Sequence, residues 1–197
     1  MTATSMRPPT GAASGACPCR DLSRGDLRVR ASVSVVTDSS PRTRSTAVRI
    51  ASYADRVAVA GLRRTWTEEQ AGAPVEDDDF AERFDAWAER EQDQRVTWLG
   101  LVDGEPAGMV NLLVFTRMPR PGQDTSRWGY LANCYVRPEH RNSGLGARML
   151  ATCTSYADEQ GFVRIVLSPT ERSVPFYARG GFEPATSLMV RPARSDS

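Results

Sequence analysis

From residue 45 onward, apolar residues recur in short, regularly interrupted runs, and their spacing predicts alternating strands and helices. Ala47-Val48-Arg49-Ile50 predicts a short first strand. Val59, Leu62 and Trp66 share one helical face, entered through Ser52 with Asp55 three residues on, the pattern of a capping box. After a break at Gly72-Ala73-Pro74, Phe80, Phe84 and Trp87 predict a second helix. The acidic run Glu76-Asp77-Asp78-Asp79 precedes it, where carboxylates suit the helix dipole. Val96 to Val102 and Gly108 to Phe115 flank Asp103-Gly104 and predict a hairpin with a tight turn. Residues 116–127 form a polar loop, and Trp128 to Val136 returns as a largely apolar strand. Leu145, Met149, Cys153 and Tyr156 mark one face of a helix ending at Gly161. Phe162 to Leu167 reads as a buried-type strand, Thr170 to Arg179 as a short helix, and Phe182 to Val190 as a final strand. The predicted order, βααβββαβαβ without internal repeat, implies an α/β or α+β layered domain: a mixed sheet with helices on both faces.

Composition alters this picture mainly at the ends. Residues 1–44 are rich in Ser, Thr, Arg, Pro and Gly, contain no aromatic residue and offer one short apolar alternation (Val33, Val35, Val36). Such a segment buries too little surface to offset its ordering entropy, so it reads as a disordered N-terminal extension. A transit peptide or a misassigned start would also account for it. The folded domain is expected over 45–192, with a tail at 193–197. The formal net charge of +1 gives no reason to expect nucleic acid or a membrane as partner. All 25 basic residues are arginine, a bias that speaks of coding composition more than of function. No run approaches the roughly 18 apolar residues that span a bilayer, and the N-terminus lacks the apolar core of a secretory signal. Four scattered cysteines (Cys17, Cys19, Cys134, Cys153) are too few for a disulfide framework in this chain. Cys17-Pro-Cys19 lacks the further Cys/His cluster of a zinc site. A cytoplasmic protein without a metal is the expectation.

The chemistry concentrates at residues 135–146, YVRPEHRNSGLG, where an apolar strand stops, turns polar and meets Gly144 and Gly146 before a helix. Unpaired N–H groups at a helix start, with the positive end of the dipole, suit an anion. Missing Cβ atoms would let a phosphate reach the backbone. Taken alone, the stretch is equally a Gly-rich turn that binds nothing. A P-loop is excluded because the chain has no lysine, and a dinucleotide fingerprint lacks its third glycine where Met149 stands.

The remaining pattern, Arg-x-x-Gly-x-Gly after an apolar strand, resembles the GNAT superfamily of N-acetyltransferases. Downstream, Phe176-Tyr177-Ala178-Arg179-Gly180-Gly181-Phe182 resembles that family's Y-x-x-x-G-F segment. The likeness extends over roughly residues 46–191. It implies a mostly antiparallel mixed sheet, splayed between the fourth and fifth strands, and acetyl-coenzyme A as co-substrate. It also implies that the backbone of Asn142, Ser143, Gly144, Leu145, Gly146 and Ala147 holds the pyrophosphate, with Arg141 adding charge or bracing the turn. Cys134, Tyr135 and Val136 would run beside the pantetheine arm like an added strand, one amide near Tyr135 polarising the thioester carbonyl. Tyr177 would be the general acid that protonates the departing thiolate, and Thr170 would keep a hydrogen bond to the coenzyme or the sheet. A homodimer is a family-level expectation.

The base is the largest gap. The family often has a glutamate on the strand before the turn, whereas Trp128 to Val136 carries no acid. Glu171, Glu68 and Glu69 are candidates by location, beside a water relay or an amine arriving neutral. Asn133 can orient substrate or water but cannot act as a base. His140, in the pyrophosphate turn, reads as a surface residue rather than a catalyst. The acceptor pocket is expected among the first two helices, the hairpin and loop 116–127, with Trp66, Trp98 and Asn111 lining it. The acidic run 76–79 would either draw a cationic amine or simply complement its helix. The leading function is transfer of acetyl from acetyl-coenzyme A to a primary amine of a small molecule or peptide by direct attack. The alternatives are a non-catalytic acyl-coenzyme A-binding regulatory module and a protein lysine or N-terminal acetyltransferase.

Overall fold

Asp103 and Gly104 both adopt positive φ, 51° and 88°, the requirement of the tight hairpin turn that Asp-Gly favours. They join β2 (Arg95–Val102) to β3 (Glu105–Thr116). The computed structural model describes residues 44–191. Residues 1–43 of the expected extension, Cys17-Pro-Cys19 among them, and residues 192–197, with the tail, lie outside the described residues. Around the hairpin, β1 (Thr46–Ile50), β4 (Arg127–Val136) and β5 (Phe162–Val166) complete a sheet in the order β1-β2-β3-β4-β5. The first three pairings are antiparallel and β4–β5 is parallel.

The helices are α1 (Arg56–Ala71), α2 (Phe80–Glu91), α3 (Leu145–Glu159) and α4 (Val174–Arg179). The Ser52 N–H donates to the Asp55 carboxylate at 2.8 Å across the 3-10 turn that leads into α1. Gly72, in the left-handed region, ends that helix. None of the helices among the described residues is long and apolar enough to cross a membrane.

Strand alternation sorts the side chains onto two faces. Trp98, Val110, Leu112 and Leu131 join Leu145, Met149, Leu150 and Cys153 of α3 in the larger core. Leu99, Met109 and Tyr135 face Leu62 of α1 in a smaller one. The close approach of α3 depends on paired glycines. A Cβ on Gly100 would lie 2.7 Å from Met149 Sδ, and one on Gly108 2.7 Å from the Tyr135 carbonyl oxygen.

Two sequence expectations fail. Residues 182–190 form no strand, and Leu188, Met189 and Val190 are 45%, 98% and 86% exposed. The segment carries Pro184, which cannot donate to a ladder, and only Phe182 is anchored, its ring 5.8 Å from that of Tyr177. Nor is β5 a buried-type strand. Among the described residues it ends the sheet, and Val163 is 54% exposed with Arg164 also exposed.

Candidate active site

After β4, a 3-10 turn (Pro138–His140) leads through Arg141 into two left-handed residues, Asn142 (φ 60°) and Gly144 (φ 84°), directly before α3. Helical hydrogen bonding starts only where the Arg148 N–H meets the Gly144 carbonyl at 3.0 Å. Among the described residues, the amides of Asn142, Ser143, Gly144, Gly146 and Ala147 therefore lack a protein acceptor. The Leu145 amide reaches only the Ser143 hydroxyl, at 3.5 Å. Ser143 spends that hydroxyl's proton on the His140 carbonyl. This row of free donors sits at the positive end of a 15-residue helix. The two glycines differ in kind. Gly144 is required by its φ, and a Cβ there would meet no protein atom within 4 Å. A Cβ on Gly146 would only touch Phe176 and Val136 at an ordinary 3.5 Å, so packing within the protein does not require glycine there.

Arg141 is turned inward. Its Nε donates to the Val136 carbonyl at 3.0 Å, and its guanidinium pairs with Glu69 of α1 at 2.7 Å. The residue thus straps the end of β4 to α1. The Arg141 hydrogen bond also holds the Glu69 carboxyl below the usual carboxylate range, which weakens it as a base. Glu68 faces Arg64 at 3.9 Å, and Glu171 is exposed in the turn before α4.

Strand β4 carries the feature that organises the site. Met109 pairs with Tyr135 but Asn111 pairs with Ala132, so β4 holds one residue more than β3 over this stretch. Asn133, at φ 52°, is in this bulge. The bulge reverses the alternation. Leu131 faces α3, and so do Cys134 and Val136, whereas Tyr135 faces α1 and stacks on Trp66 at 5.6 Å. The Tyr135 hydroxyl is buried without a hydrogen-bond partner among the described residues. Burial, with the neighbouring Glu69 carboxylate, pushes that phenol up to about 12.

Pairing with β5 ends at Tyr130–Val166, leaving the β4 segment 131–136 unpaired on that side. Tyr177 of α4 packs against the α3-side core between Phe176 and Phe182, with its hydroxyl next to Cys134. Burial raises both groups, the Cys134 thiol to about 11. Thr170 donates its hydroxyl to Ser173 Oγ at 3.0 Å, and its carbonyl accepts the Ser173 and Val174 amides, so it initiates the turn into α4.

On the opposite face, two adjoining hollows of about 260 and 280 Å³ lie between α1, α2 and the sheet. Both are walled by Val59, Phe84, Trp87 and Asn111, and Asn133 lines the second. Asn111 Oδ1 accepts from Arg95 at 2.9 Å, and its Nδ2 donates to Thr97 at 2.7 Å. The structure does not bring the predicted tryptophans here. Trp98 points to the α3 face, 1% exposed, with its ring 5.3 Å from Tyr156. Trp66 is committed to Tyr135. The acidic run 76–79 borders neither hollow, and Asp77 is paired with Arg83.

Sequence reasoning also missed Arg63, Arg95, Phe84 and Trp87 as lining residues. Arg63 lies four residues after Val59 on α1, and this spacing was the available signal. The Asn133 bulge had no comparable signal, because an apolar strand of mixed sizes reads alike in either parity.

A model of the acetyltransferase (GNAT) family matches residues 61–182 of the chain. Glucosamine 6-phosphate N-acetyltransferase of Trypanosoma brucei brucei is 27% identical over 79 residues, covering 40% of this chain and 52% of that protein. The match therefore spans about half the length of that curated relative. Among solved structures, a predicted acetyltransferase with acetyl-CoA from Clostridium acetobutylicum aligns with a TM-score of 0.61 at 18% identity, covering 75% of this chain and 96% of the other. A GCN5-related N-acetyltransferase from Ralstonia eutropha JMP134 aligns with a TM-score of 0.58 at 27% identity, covering 76% and 99%.

Proposed function

Because the chain belongs to the acetyltransferase (GNAT) family, with the family model matching residues 61–182, we propose that it transfers an acetyl group from acetyl-coenzyme A to the amine of a small molecule. The observation that carries this reading is the juxtaposition at β4. A turn of free amides lies at one end of its unpaired segment, Tyr177 beside Cys134, and a hollow reaches the bulge from the other face. These residues fit the coenzyme. Amides 142–147 suit a pyrophosphate, and the unpaired edge at Cys134, Tyr135 and Val136 suits an amide-bearing arm. The co-substrate supplies the activated acetyl group.

In this reading Asn133 and the hollow orient the amine, whose nitrogen forms the new C–N bond as the C–S bond breaks. Tyr177 gives its proton to the sulfur. A buried phenol is a reluctant acid, but the same surroundings raise the Cys134 thiol to about 11. A thiolate released there is correspondingly eager for a proton. With Glu69 engaged by Arg141, the amine enters neutral, and the one N–H proton it loses on forming the amide passes through water to restore the Tyr177 phenol.

The test is thiol release with a panel of amines. Wild type should release thiol only with acyl donor and acceptor together, with mass spectrometry showing the acetylated amine. Tyr177→Phe should lower turnover by about 100-fold or more with coenzyme A affinity unchanged by calorimetry. Equal turnover removes Tyr177 as the acid. Coenzyme binding without turnover on any amine points instead to a regulatory acyl-coenzyme A module.

A further inference from the structure

The charges around the two hollows are one-sided. Arg56, Arg63, Arg83 and Arg95 face a single lining carboxylate, Glu91. Glu91 is already engaged by Arg95 at 3.1 Å. Arg56 is held by Asp85 at 2.9 Å, and Arg83 by Asp77. Arg63 alone of the four has no carboxylate within ion-pair distance among the described residues. Its guanidinium lies over the Trp66 ring at 4.8 Å, which fixes the head group beside the second hollow. A polycationic amine entering here would find no free carboxylate and would meet an uncompensated guanidinium. An anion would find a charged partner already held in place.

We infer that the acceptor carries an anionic group, a carboxylate or a phosphate, seated on Arg63, with its body against Phe84 and Trp87 and its amine directed toward Asn133. This inference rests on the acetyl-transfer reading and deepens it. Arg63 and Asn133 line the same hollow, so an acceptor anchored on Arg63 is held in the space that opens onto the β4 bulge. The residue acts on binding and takes no part in bond making.

Matched pairs of amines test this: L-phenylalanine against phenethylamine, and glucosamine 6-phosphate against glucosamine. The anionic member of at least one pair should show a kcat/KM about tenfold or more above its uncharged-tail counterpart. The pair that responds tells carboxylate from phosphate. Arg63→Gln should bring that ratio to about one through KM, leaving coenzyme A affinity unchanged. Preference for the members lacking the anion, or a ratio that survives Arg63→Gln, overturns the inference while leaving acetyl transfer standing. Failure of every amine counts against transfer itself, and the charge preference is then read without turnover. Benzoate should raise the melting temperature of wild type but not of Arg63→Gln. Stabilisation by benzylamine instead, or by benzoate in both proteins, overturns the inference.

Discussion

The two faces of the sheet are packed to different ends. On the α3 side, Trp98, Val110, Leu112, Leu145, Met149 and Cys153 are all 1% exposed or less, and paired glycines draw the helix down onto the strands. On the other side the buried residues among those described are Leu62, Leu99, Met109, Tyr135 and the polar Asn111. Helix α2 contributes no fully buried residue, and its aromatic side chains wall a hollow. Close packing is concentrated behind the turn that would hold a coenzyme, and open volume lies where an acceptor would vary. A row of backbone amides binds only when its spacing is fixed, whereas a pocket can change its lining without disturbing the core.

The largest effect that tests this contrast is on stability. Met149→Ala should cost about 2–5 kcal/mol in denaturant unfolding, since its side chain fills the space over Gly100 and Gly108. Phe84→Ala, which enlarges a hollow already present, should cost less than half as much. Equal losses would erase the distinction between the faces.

A smaller and more specific effect concerns the two glycines of the turn. Gly146→Ala meets only ordinary contacts, so the fold should be unaffected or stabilised by up to about 1 kcal/mol. Coenzyme A affinity should nonetheless fall about tenfold, about 1.4 kcal/mol, in calorimetry. Unchanged affinity would mean that Gly146 faces no ligand.

The smallest effect sharpens the picture of the α1 side. Tyr135→Phe removes a buried hydroxyl without a partner and keeps the stack on Trp66, so stability at pH 7 should change by less than about 0.5 kcal/mol or rise. The pH dependence has a definite sign. Folded Tyr135 keeps its proton to about 12, whereas the unfolded chain loses it near 10. Between these values unfolding releases a proton, and stability falls as pH rises. Urea unfolding of wild type and Tyr135→Phe across that window should show the decline reduced in the variant. Identical slopes would place the titration elsewhere.

Much of this architecture is legible in local pattern. The Asp103-Gly104 turn, the helical face of Leu145, Met149 and Cys153, and the stop at Gly161 each follow from interactions within a few residues. The failures come where the environment decides. Residues 182–190 read as a strand but pair with no strand among the described residues, and Trp98 looks like any aromatic until the sheet assigns its face. The inward turn of Arg141 required Glu69, 72 residues earlier in the chain, to be brought beside it.

What the sequence determined by itself is the element order as far as α4, the hairpin, and a bare turn before α3 with Tyr177 downstream, because backbone preferences and hydrophobic period are local properties. Tertiary structure alone decided which face each β4 side chain occupies and the charge of the hollow beyond it. A one-residue bulge at Asn133 inverts the alternation, and a pocket's charge depends on which arginines find carboxylates in space.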